Sequence, residues 1–212
     1  MHIVKRNGVF IFIDNINSLF INWNEENAKE FLQLFNRFYI DTNYADFYKS
    51  HLPLFEEATE KFINEIYKHI DIDWFGKYTN KSNLRCIYSL SSGNYASMVN
   101  DTIIYSLVHG GNPPIIHEYC HAFANPIADR WYNENPEFKK LCDNSVNLEK
   151  MPFYNDGLGI AREYVTKAYN ILYDVQHDDD LIECLSRERH CFFEDSFKYI
   201  EDVYNMVLMF EN

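Results

Sequence analysis

The chain has 212 residues, 47% of them hydrophobic and 17% aromatic, which supports one compact domain with a sizeable core and excludes a disordered chain. Its formal charge of -13, with 19 Lys and Arg spread along the chain without clustering, argues against nucleic acid as a partner. The same acidity suits a protein that holds divalent cations.

Residues 3–22 alternate weakly between apolar and polar and predict an extended opening segment. Within it the apolar run Val9 to Ile13 is short, runs into Asp14 and lacks a small-residue cleavage site, so it does not read as a signal peptide. The compartment is therefore cytoplasmic if the chain is complete and exported if a leader has been trimmed. No stretch approaches a membrane span. Ala28, Phe31, Leu32, Leu34, Phe35, Phe38 and Tyr39 predict a helix over 25–40. A second helix is expected over 53–70, with Phe55, Ala58, Phe62, Ile63 and Ile66 on one side. Residues 71–83 are polar, aromatic and turn-rich, and predict a loop.

Two strands are expected at 84–90 and 102–108, separated by Ser91-Ser92-Gly93-Asn94 and a further polar stretch. Gly110-Gly111-Asn112-Pro113-Pro114 ends the strand pattern, and proline in a first turn opens a helix over 114–129. A short helix at 136–142, a long one at 158–175, and helical spacing over 181–185 and 193–210 complete the chain. The expected architecture is α+β: mostly helical, with a small mixed sheet next to the 114–129 helix. It is read as a single domain, 1–212, in which 1–83 is mainly helical, 84–129 carries the strands and that helix, and 130–212 is helical.

The 114–129 helix carries His117-Glu118-Tyr119-Cys120-His121, an HExxH sequence. Positions i and i+4 share one helix face, so both imidazoles can reach one Zn2+, and Glu118 lies beside them to take a proton from metal-bound water. Ile116, Tyr119, Cys120, Phe123 and Ile127 form an apolar stripe, while His117, Glu118, His121 and Asn125 fall on the other side. An ordinary solvated face favours Lys and Glu over paired His. Asn125 either hydrogen-bonds a ligand or shapes the helix end before Pro126.

A third ligand must come from elsewhere. Ala124 and Ile127 stand where HExxHxxGxxH would have Gly and His, which excludes that pattern. The downstream carboxylates are Asp129, Glu134, Glu137, Asp143, Glu149, Asp156 and Glu163. Glu163 lies off the apolar stripe Ala161, Tyr164, Val165, Ala168 and Leu172 of the long helix, a placement shared by a cleft-facing ligand and a plain surface glutamate.

The run His117 to Pro126, HEYCHAFANP, followed by Arg162-Glu163-Tyr164, resembles a bacterial domain-of-unknown-function family with an HExxHxFxNP motif, placed among the gluzincin-like zinc metallopeptidases. The similarity extends upstream through Phe38-Tyr39, Thr42-Asn43, Phe47 and Ile72-Asp73-Trp74-Phe75 to Asn94-Tyr95, and leaves residues 178–212 unmatched. It implies a zincin-like domain, Glu163 as third zinc ligand, Glu118 as general base, and hydrolysis of a peptide or protein substrate. The alternative is a non-catalytic zinc-binding scaffold that holds a peptide or protein partner in its cleft.

The remaining candidates read as structural. Cys86, Cys120, Cys142, Cys184 and Cys191 form no CxxC pair, and Cys120 lies on the core stripe. His109 reads as a strand-end or loop residue, His177 stands before an Asp178-Asp179-Asp180 helix-cap run, His190 has no motif around it, and Asp129 reads as solvated beside Arg130.

Overall fold

The structure, a computed structural model, describes residues 3–12, 24–78, 85–88, 95–99, 102–106, 115–147, 149, 154–191 and 194–211. The chain divides into two compact units, residues 1–60 and 61–212, with the division inside a helix. In the first unit, strands β1 (Ile3–Arg6) and β2 (Val9–Phe12) pair antiparallel, with Arg6 opposite Val9 and Ile3 opposite Phe12. The turn is Asn7-Gly8, both at positive φ (51° and 86°), the combination that a tight hairpin turn demands. The expected extended segment is thus a hairpin as far as Phe12, and its remainder, 13–22, lies outside the described residues.

Helix α1 (Glu25–Asp41) matches its expected span. Asn24 caps it by accepting from Asn27 N–H at 2.8 Å, with Glu25 and Glu26 in the first turn. Asn36 reaches from α1 to the hairpin, accepting from Phe10 N–H at 2.7 Å and donating to Phe10 O at 2.9 Å. Helix α2 (Tyr44–Glu65) starts well before the expected position. Pro53, where the expected span began, sits in the interior, on an exposed stretch where water can satisfy the carbonyl that proline leaves unpaired. The expected C-terminal part is a separate 3-10 turn, Tyr67–His69.

In the second unit the expected loop at 71–83 contains helix α3 (Ile72–Gly76). Asp71 caps it, and Trp74 and Phe75 anchor it in the core. Trp74 meets Tyr173 edge-on at 5.1 Å, and Phe75 lies 5.0 Å from Tyr119. A three-stranded sheet follows, ordered β3 (Arg85–Tyr88), β5 (Thr102–Ser106), β4 (Tyr95–Val99). β3 runs parallel to β5, with Cys86 opposite Ile103, and β4 antiparallel, with Ala96 opposite Tyr105. The sheet is mixed as expected, but β4 occupies a stretch read as turn and polar segment.

Helix α4 (Ile115–Glu134) packs against β4 and β5 and continues beyond its expected end, through Pro126. Helices α5 (Pro136–Ser145), α6 (Gly157–Gln176), α7 (Leu181–Arg189) and α8 (Ile200–Glu211) lie where helices were expected, with Asn135, Asp156 and Asp180 capping α5, α6 and α7. Among the described residues no helix is long and apolar enough to cross a membrane.

α6 is the centre of this unit, packed against α4, α5, α7 and α8. Its sequence suggested one apolar stripe, yet nearly every residue from Ile160 to Tyr173 is buried, including Glu163, Thr166, Lys167 and Asn170. A helix with neighbours on several sides must bury its polar positions and then answer each one. Gly157 opens α6 against a neighbour, since a Cβ there would fall 1.9 Å from Asp143 Oδ1. A deeply buried charge is Lys167, whose Nζ donates to Glu188 Oε2 on α7 at 2.9 Å with side chains only 6% and 10% exposed.

This pair yields a stability prediction. Glu188→Gln leaves the Lys167 ammonium buried against a neutral group and should cost about 3 kcal/mol. That lowers the thermal midpoint by on the order of 10 °C. The double change Lys167→Met with Glu188→Leu should cost less than Glu188→Gln, because neither member of the pair is left buried without the other, although it also removes the Arg187 contact to Glu188 and the positive charge beside Glu163. Equal losses in the single and double variants, read by thermal denaturation, would show that the ion pair carries no such penalty.

Candidate metal centre

α4 turns Ile115, Tyr119, Cys120, Phe123, Ala124 and Ala128 into the core, with Ile116 and Ile127 at the margins. The i, i+4 pair His117 and His121 lies off this face, rings nearly perpendicular with centroids 4.8 Å apart. α6 brings Glu163 against both. Its Oε2 lies 3.4 Å from His117 Nε2 and its Oε1 lies 3.5 Å from His121 Nε2. The three side chains are 17%, 16% and 12% exposed, so the cluster touches solvent without being surface. The choice left open by periodicity is settled to this extent: Glu163 is not a plain surface glutamate.

The spacing has a chemical meaning. Ordinary N–H···O hydrogen bonds cluster near about 2.9–3.0 Å. A tetrahedral Zn2+ with bonds of about 2.0–2.2 Å separates its ligand atoms by roughly 3.3–3.6 Å. The two nitrogen–oxygen separations, each to a different carboxylate oxygen, are longer than direct hydrogen bonds and close to the second range, and one potential ligand atom from each of His117, His121 and Glu163 lies within 4.8 Å of the others. Two imidazole nitrogens and a carboxylate suit zinc.

Protonation favours ligation. Burial pushes Glu163 up, but the close approach and positive charge of a protonated His117, then charge on His121 and Lys167, outweigh it and hold the carboxyl at about 2. Burial and the neighbouring His117 lower His121, against smaller opposite effects of Glu163, Asn125 and Glu118. The first effect keeps Glu163 a carboxylate and the second favours a neutral His121, and these are the forms of the two groups that bind metal. His121 Nδ1 lies 3.0 Å from Asn125 Oδ1 and 3.0 Å from Thr166 Oγ1. A proton on Nδ1 satisfies these acceptors and leaves the Nε2 lone pair directed toward the cluster. Of the two readings of Asn125, the helix-end role fails because α4 runs on to Glu134, and a hydrogen bond to His121 is present.

Glu118 is half-buried on α4. Tyr154, just before α6, has a hydroxyl pushed up first by burial and then by the charge and hydrogen bond of Glu163, with lesser effects of Cys191 and Glu118. Sequence reasoning missed Tyr154 and Thr166. Thr166 stands one helical turn after Glu163, which is the signal available for it, whereas Tyr154 precedes the helix and gives none.

The other carboxylates are engaged elsewhere or exposed. Asp129, read as solvated beside Arg130, instead accepts two bonds from Arg162. Asp143 accepts from Tyr132, Asp156 caps α6, and Glu134, Glu137 and Glu149 are exposed. Cys120 is in the core, where burial raises its thiol, and His190 accepts from Asp195 N–H in a loop. His177 ends α6, with Asp180 as the expected helix cap after it. His109 lies outside the described residues. Asp174, Asp179 and Cys184 form a second close group, but Asp174 is already bonded to Arg187 and Asn170.

No family model, curated protein or solved structure matches the chain. The case for the site therefore stands on its geometry and on the HExxH sequence.

The clustering predicts the outcome of four single changes. Glu163→Ala should weaken Zn2+ binding by on the order of 100-fold or more, beyond the loss typical of an outer hydrogen-bond partner. Glu134→Ala, Glu137→Ala and Glu149→Ala should bind as the parent does. Competitive chelator titration reads all four. Parent-like affinity in Glu163→Ala would remove it from the ligand set.

Proposed function

We propose that the chain is a zinc-dependent hydrolase, and within that class a gluzincin-like metallopeptidase with a zincin-like fold. The observation that carries the reading is the meeting of Glu163 with both histidines of HExxH at 3.4 and 3.5 Å, separations suited to a shared ion. His117, His121 and Glu163 hold the metal, and Asn125 and Thr166 hold His121 by its Nδ1 proton. Zinc bound there supplies Lewis acidity, polarising a substrate carbonyl and lowering the pKa of water toward about 7.

The chain's own residues do the rest. Glu118 accepts the proton of the attacking water and delivers it to the leaving amine. Lys167, one turn beyond Glu163, keeps positive charge near the buried carboxylate and favours its ionised state. The peptide or protein substrate follows from the resemblance of HEYCHAFANP and Arg162-Glu163-Tyr164 to zinc peptidases. A site that only holds a partner does not require a base at Glu118.

Two measurements test this. Elemental analysis of protein purified without chelator should find one Zn2+ per chain, and protein that is metal-free and refuses added Zn2+ ends the enzyme reading. Glu118→Gln keeps the size and hydrogen bonding of the side chain but removes the base. It should cut peptide hydrolysis by about 10²–10⁴-fold while zinc stays bound. An unselective peptide library serves as substrate, and undiminished cleavage by the variant excludes the role assigned to Glu118.

A further inference from the structure

We propose that the Arg162–Asp129 pair is the positioning device that sets Glu163 against His117 and His121 and thereby fixes the metal affinity of the site. The inference rests on the metal-centre reading above. Arg162 Nε donates to Asp129 Oδ1 at 2.7 Å and Nη2 donates to Oδ2 at 2.9 Å. Two parallel bonds between a planar fork and a carboxylate fix orientation as well as distance. One end of this clamp is the residue immediately before Glu163 on α6. The other continues the α4 row His117, His121, Asn125, Asp129, spaced by four.

The need for a clamp follows from helix geometry. A side-chain tip stands roughly 5–6 Å from its helix axis. A helix rotation of about 20° therefore swings the tip by about 2 Å, enough to lose a ligand bond. Thr166 ties α6 to His121 on one side of Glu163, and Arg162 ties it to Asp129 on the other. Between them Glu163 has little rotational freedom relative to the histidines.

The pair's exposure separates this role from folding. Its side chains are 42% and 39% exposed, where ion pairs contribute little to fold stability. Losing it should move metal affinity while leaving the fold standing, the reverse of what a purely structural bridge would do.

The test uses the full chain, Zn2+ competition against a chromophoric chelator, the visible spectrum of the Co2+-loaded protein, and thermal denaturation without metal. Arg162→Met and Asp129→Asn should each weaken Zn2+ binding about tenfold. The double variant should be no weaker than either single one. Arg162→Lys, which keeps the charge but not the fork, should fall between Arg162→Met and the parent. The Co2+ band should shift in Arg162→Met, while metal-free thermal midpoints stay near the parent's. Parent-like affinity in Arg162→Met, strictly additive losses in the double variant, or affinity losses that track lowered metal-free midpoints would each overturn the proposal. A parent that binds no Zn2+ overturns the metal-centre reading and this inference with it. A parent that binds zinc while Arg162→Met binds it equally overturns this inference alone.

Discussion

A carboxylate enclosed by packed helices is a charge that water no longer stabilises, and something in the protein must take water's place. Glu163 is that charge in residues 61–212. It stands on the helix with most neighbours, and two imidazoles from α4 face its two oxygens. Neutral imidazoles are weak counter-ions, and Tyr154 offers Glu163 a hydroxyl but no charge. Lys167 supplies positive charge from one turn along the same helix, but its ammonium is directed to Glu188. A divalent cation between His117, His121 and Glu163 answers the carboxylate and both imidazole lone pairs at once. On the proposed reading, the group that makes the core costly is the group that makes it bind.

The same rule organises the rest of α6. Each buried polar side chain along it reaches a particular partner: Thr166 to His121 on α4, Lys167 to Glu188 on α7, and Tyr169 to Glu211 on α8. Asn170 bonds Asp174 on α6 itself, which in turn receives Arg187 from α7. Apolar burial is indifferent to the rotation of one helix against another, whereas these contacts are not. Ile160, Ala161, Tyr164, Val165, Ala168, Ile171 and Leu172 provide contact area, and the polar set determines which neighbour lies where. α6 thus carries both the glue and the address labels of the helical unit.

Much of this was legible in the sequence where the signal is local. Helices α1 and α6 were found from periodicity, α5 was expected as a short helix, and His117, Glu118 and His121 came from the spacing of one motif on one helix face. β3 and β5 showed as β-branched and aromatic runs. The misses share a cause. β4, Tyr95–Val99, is a short run next to polar residues and is fixed as a strand by pairing with β5, and α3 is too short to show a period and is held by the burial of Trp74 and Phe75. The expected start of the second helix, at Pro53, lies inside α2, whose first half is mostly exposed. The Asn7-Gly8 turn was a readable hairpin signal that weak alternation obscured. Glu163 was found as a candidate, but its burial was not, because a single stripe assumes one buried face and α6 has several. Arg162 and Thr166 gained their roles from the crossing of α4 and α6, which no local pattern encodes.

One repeated spacing distributes the tasks along α4. At 3.6 residues per turn, each step of four advances about 40° around the helix, so His117, His121, Asn125 and Asp129 fan across roughly 120°. They cannot all face one point. The first two converge on Glu163, the third turns back to hold the second by its Nδ1, and the fourth reaches past the cluster to Arg162. On the proposed reading, ligand, support and clamp follow in order from helical arithmetic, provided α4 continues through Pro126, as it does. A helix ending at Pro126 would have kept both histidines and lost the clamp. The continuation of α4 to Glu134 thus matters to the site as much as the motif itself, because a ligand set on two rigid helices is only as accurate as their relative rotation.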